Sequence, residues 1–76
     1  MDFKEATDRL LAAGVDLREI AEAVGLGHQY VRAMRLAPGA KSARPSPPPE
    51  KWGPPLVALA RARIEALQGF VRDAEK

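Results

Sequence analysis

The residues best suited to chemistry lie in one short run, His28-Gln29-Tyr30-Val31-Arg32-Ala33-Met34-Arg35. Gln29 and Arg32 are three positions apart, so a helix over this run puts them on one face. The glutamine amide donates and accepts in one plane, which suits adenine N7 and N6. The arginine fork suits guanine O6 and N7. Ala33 offers a methyl to thymine or lets the helix approach closely. This is the chemistry of reading base edges, not of making or breaking bonds. Nothing else in the chain argues for catalysis. Glu19 and Glu22 have no second functional group beside them for acid–base work. Two serines in a proline-rich stretch and one distant histidine make no triad. Gly25-Leu26-Gly27 follows no strand and leads to no lysine at the P-loop position. His28 has no companion ligand, and with no cysteine there is no thiolate metal site, so no cofactor is expected.

Two short helices must position these groups, and the stretch Leu17–Leu36 encodes them. Leu17, Ile20, Ala21 and Val24 form an apolar stripe at helical spacing. Gly25 ends that helix, because glycine enters the left-handed region without a Cβ clash. The next helix opens near Gly27 or His28, runs to about Ala37, and turns Val31 and Met34 inward. Ala21 is small where the two helices cross. The pattern resembles the helix-turn-helix of the Cro and phage-repressor (XRE-type) family of bacterial DNA-binding proteins. Ala21 matches its small residue, Gly25 its turn glycine, and Ile20, Val24, Leu26, Val31 and Met34 its apolar positions. One position departs: the family often caps the second helix with Ser or Thr, and this chain has Gly27, a weaker cap.

The resemblance implies an all-α, lambda-repressor-like bundle of about four helices whose second motif helix enters the major groove. It places Gly27, His28, Gln29, Arg32 and Ala33 at or near bases, with Gly27 limited to its backbone amide on a phosphate. It also brings a basic connector close to DNA, which makes Lys41, Ser42 and Arg44 candidate phosphate contacts. On its own chemistry, His28 is either a polar first-turn residue or a DNA contact. Tyr30 either reaches a phosphate or packs on the connector. Arg35, near the helix C-terminus where a cation suits the dipole, is assigned to phosphate rather than base.

The rest of the chain reads as support. Asp2 caps a first helix, with Glu5 at the capping-box position. Phe3, Ala6, Leu10 and Ala13, widened by Leu11, form its stripe, and Gly14 ends it. Asp16 caps the second helix, and Glu19 repeats the box. Residues 38–51 form a proline-rich connector that begins at Pro38-Gly39. Its Pro45-Ser46-Pro47-Pro48 matches PxxP formally but reads as a rigid linker. Trp52 is a hydrophobic anchor for that connector rather than a base-stacking platform. The last helix is expected from Pro54 or Pro55 to about residue 74, with Gly69 weakening it. Val57, Ala60, Ile64, Leu67, Val71 and Ala74 repeat as an a/d seam, and Leu56, Leu59 and Phe70 widen it. Its first half should complete the core. Its second half, through Ile64, Leu67, Phe70, Val71 and Ala74, should meet a second copy.

Charge agrees with this division. The chain of 76 residues carries a net +2. Residues 1–27 hold six acids against Lys4, Arg9 and Arg18, whereas residues 28–51 hold Arg32, Arg35, Lys41, Arg44 and Lys51 against Glu50 alone. Cations thus gather on the reading helix and after it, where duplex phosphates would need them. Length allows one domain, 1–76, with a thin core. No apolar run approaches a membrane span, and the start of the chain lacks a signal-type apolar core. The expectation is a cytoplasmic, nucleoid-associated homodimer: a sequence-specific double-stranded DNA-binding transcriptional regulator acting as a repressor, with no small-molecule ligand. Two rivals share the helices. One is a protein-interaction adaptor without DNA binding. The other is a DNA-binding accessory factor of phage or recombination systems.

Overall fold

The computed structural model describes residues 1–37 and 39–76. It is all-helical, with α1 at Phe3–Ala12, α2 at Leu17–Val24, α3 at His28–Met34 and α4 at Pro49–Ala74. The second helix is the hub, packing on each of the other three, while α1 also packs on α4. Ile20 of α2 and Val31 of α3 are fully buried, and Phe3, Ala21, Met34, Trp52 and Leu56 close around them.

Local signals account for most helix ends. Asp16 accepts from the Arg18 amide at 3.1 Å, and the Glu19 carboxylate accepts from the Asp16 amide at 2.9 Å. These reciprocal bonds satisfy donors that the first turn of α2 leaves open. Gly25 sits at φ +73°. The Leu26 amide reaches back to the Ala21 carbonyl at 3.0 Å, the six-residue closure of a Schellman turn. That turn sets the direction in which α3 leaves.

Three expectations for α1 and α3 need correction. Asp2 does cap α1, accepting from the Glu5 amide at 2.8 Å, but the Glu5 side chain pairs with Arg9 at 3.1 Å instead of reaching back. Only half of that box forms. Ala13 lies past the end of α1 and is exposed, while Val15 in the following turn is buried in its place. α3 ends at Met34, three residues short of Ala37. Ala37 precedes a proline in the sequence, which disfavours helical backbone there. The stop assigned to Pro38 itself lies outside the described residues.

The largest difference is at α4. It starts at Pro49, five residues before Pro54, with Pro48 as its N-cap. Proline is at home in a first turn, since its missing amide hydrogen would have no helical partner there. Pro54 and Pro55 therefore lie inside the helix, where they deny donors to the carbonyls of Glu50 and Lys51. Both of those residues are exposed, so water can take their place. The compensation is burial: Trp52 and Leu56, four apart on one face, are 7% and 4% exposed. Trp52 meets Phe3 edge-to-face with ring centroids 5.8 Å apart. The indole is thus the anchor expected of it and is closed to base stacking.

Beyond Leu56 the helix leaves the bundle. Leu59 and Ala60 are half-buried, but Val57, the first seam residue, is exposed, and Leu56 fills the core instead. The last tie to the bundle is Arg63, whose guanidinium meets both Glu19 oxygens at 2.6 and 2.7 Å. After it, Ile64, Leu67, Phe70 and Val71 stand 51, 57, 68 and 48% exposed. This overhang gives the molecule its 53 × 21 × 20 Å shape. No helix among the described residues is long and apolar enough to cross a membrane.

Candidate nucleic-acid interface

The α3 helix is held by its inner face and shows its outer one. Val31 and Met34 are buried at 0 and 5% exposure. Gln29, Tyr30 and Arg32 are exposed, whereas His28 and Ala33 are partly covered. Gly27 caps the helix with no side-chain hydrogen bond, so the first-turn amides have no side-chain oxygen on them.

The connector folds back onto this helix. The Arg44 amide donates to the Ala33 carbonyl at 3.2 Å, and short turns close from Ala40 to Ala37 and from Ala43 to Ala40. The result is a shallow cleft of about 330 Å³ lined by Gln29, Arg32, Ala33, Leu36 and Ser42. Three expected base-contact residues and one expected phosphate contact thereby meet on one surface. Leu36, 45% exposed, joins them and was not foreseen. It continues the face of Gln29, Arg32 and Ala33 at the seventh position, and its apolar side chain, with no donor or acceptor for a base edge or phosphate, hid it. Lys41 and Arg44 are exposed on the same connector.

Electrostatics separates the cations into two groups. Lys4, Arg9, Arg35 and Arg63 pair with acids of α1 and α2. Arg32, Lys41 and Arg44 make no ion pair among the described residues. Among the described residues no carboxylate lies within ion-pair distance of any of the three.

Arg35 departs from its assignment as a phosphate contact. Its Nε donates to Thr7 Oγ1 at 2.9 Å, and its Nη2 pairs with Asp8. The side chain is 21% exposed. Arg35 therefore ties the end of α3 to α1 rather than facing outward with Arg32. The receiving hydroxyl is fully buried and already donates to the Phe3 carbonyl at 2.8 Å, leaving its lone pairs for the guanidinium. Thr7 is a positioning residue that the apolar stripe concealed. It sits four residues after Phe3 and three before Leu10, on the inner face, and its polarity alone kept it off the stripe.

These ties carry a pH dependence. Asp8 is held below the ordinary carboxylate range, first by its hydrogen bond from Lys4 and then by Arg35. Glu19 is lowered first by the Asp16 amide and then by Arg63. Both groups have folded pKa values below their unfolded ones, so their contribution is present above the unfolded values and disappears as pH falls through the folded ones. The urea midpoint is expected to be level near neutrality and to fall as pH drops below about 4.5, the ordinary value for Glu19. Glu19→Gln should flatten part of that fall. A midpoint that rises on acidification would contradict the assignment.

No group of His, Asp and Glu side chains among the described residues could hold a metal ion. Comparison with known protein families, curated proteins and solved structures returned no match.

Proposed function

We propose that this chain is a sequence-specific double-stranded DNA-binding transcriptional regulator, acting as a homodimeric repressor. In this reading α3 lies in the major groove, and binding blocks access to the site by occupancy. Gln29 and Arg32 read base edges, Ala33 allows close approach, and His28 borders the groove. Lys41, Ser42 and Arg44 grip phosphate beside it, with Tyr30 and the Gly27 amide at the other border. The observation that carries the reading is the convergence of Gln29, Arg32, Ala33 and Ser42 on one cleft next to cations that make no ion pair among the described residues. An amide, a guanidinium and a hydroxyl on an exposed helix-and-loop surface have the donor and acceptor set for base edges and phosphates.

The test is the salt dependence of duplex affinity. Each phosphate contact releases condensed counterions, so the slope of log K against log salt loses about 0.9 per contact removed. Lys41→Ala and Arg44→Ala each remove one contact per subunit, so in the homodimer each should flatten the slope by about 1.8 and weaken all duplexes evenly. Arg35→Ala should leave the slope unchanged, because its charge is spent on Asp8. Affinity independent of salt, or no binding to any duplex, would contradict the reading.

A further inference from the structure

The overhanging half of α4 is an apolar stripe with charged flanks, and the flanks carry information about what covers it. Ile64, Leu67 and Val71 form the stripe at alternating three- and four-residue steps, and each is about half exposed. Arg61, Gln68 and Glu75, spaced by seven, line one flank; Arg63 and Phe70 line the other. Arg63 is committed to Glu19. Arg61 and Glu75 are exposed and make no ion pair among the described residues.

We infer that this face is covered by the same face of a second copy running antiparallel, with the two-fold axis crossing near Gln68 and Gly69. Two antiparallel helices bring like flanks together, whereas parallel ones bring opposite flanks together. In the antiparallel register Arg61 faces the partner subunit's Glu75, and the pair recurs on the other side of the axis. Gln68 faces its own copy, an amide able to donate and accept across the axis. Leu67 layers on the partner subunit's Val71, Ile64 on the partner subunit's Ala74, and the two Phe70 rings meet on the opposite flank. A parallel pair would instead set Phe70 beside the partner subunit's Glu75 and Arg63 beside the partner subunit's Gln68, with no charge complemented. Charge complementarity therefore selects both the occupant and its direction.

The arrangement rests on the homodimer in the proposed function and not on DNA binding. It puts the two bundles at opposite ends of the paired helices. With a rise of 1.5 Å per residue, the two Leu56 positions lie about 39 Å apart along the axis, close to one turn of B-DNA.

Sedimentation equilibrium without DNA tests it. Arg61→Glu and Glu75→Arg should each raise the dimer Kd about tenfold, since each turns two attractions into two repulsions. The double variant should restore the original Kd, with helical circular dichroism unchanged throughout. Because the chain has no cysteine, single cysteines give a second readout. Gln68→Cys should cross-link to its own copy through a short bis-maleimide, and Ile64→Cys, off the axis, should not. A monomer at all concentrations, a reversal without rescue, or faster cross-linking at Ile64 would overturn the antiparallel dimer. Loss of duplex binding with the dimer intact would count against the DNA reading alone.

Discussion

Trp52→Ala is expected to cost about 3–5 kcal/mol and to lower the melting temperature by at least about 12 °C. The indole is 7% exposed and packs edge-to-face on Phe3, so truncation removes both its burial and an aromatic pair. It also removes the element that holds a proline-interrupted helix start in place. Pro54 and Pro55 leave the first turns of α4 short of hydrogen bonds. Those turns persist through side-chain burial, so the truncation should fray residues 49–55 as well as loosen the core. A chain of this length has roughly 4–11 kcal/mol of total stability, so the loss is a large share of it. Thermal unfolding followed by circular dichroism measures the first effect, and amide exchange over residues 50–53 the second. A shift of only a few degrees with protection intact would mean that α4 is not docked through this residue.

The second large effect is on recognition. Arg32→Ala should cost about 1–3 kcal/mol in each half-site, a loss of roughly 5- to 150-fold per half-site, and should relax the choice of base at one position in each. Arg32 is exposed, unpaired among the described residues and set in the cleft with Gln29, so its removal should leave the fold intact. The contrast with Arg35 gives the prediction its content. Both arginines lie on or beside α3, three positions apart, yet Arg35 answers to Thr7 and Asp8. Arg35→Ala should thus be read first as lost stability, and Arg32→Ala as lost discrimination. Duplex affinity measured alongside melting temperature separates them. If Arg32→Ala lowered affinity equally for every duplex, Arg32 would be a phosphate contact and not a base reader.

What was legible in the sequence was what is decided locally. Asp16 with Glu19 marks the start of α2, Gly25 marks its end, and both signals act within one helical turn. The inward set Ile20, Ala21, Val31 and Met34 follows from helical spacing, and so does the outward set beginning at Gln29. What was hidden depends on contacts far apart in the chain. Arg35 meets Thr7 across 28 positions, and Arg63 meets Glu19 across 44. Nothing in the spacing of either pair announces them. The start of α4 was hidden for another reason: a sound local rule about proline gave way to the burial of Trp52 and Leu56. The cleft itself was half visible. Gln29, Arg32 and Ala33 follow from one helix face, but the return of Ser42 beside them depends on a backbone bond from Arg44 to Ala33.

In the proposed function α3 and the connector of each subunit read one half of a symmetric duplex site. Enrichment of bound duplexes from a randomised pool, at a stated salt concentration, tests it most directly. The expected result is a near-palindromic site with two equivalent half-sites about one helical turn apart, roughly 34–36 Å, and sharp base preference within each. Uniform recovery of all duplexes, or recovery of none, would contradict it.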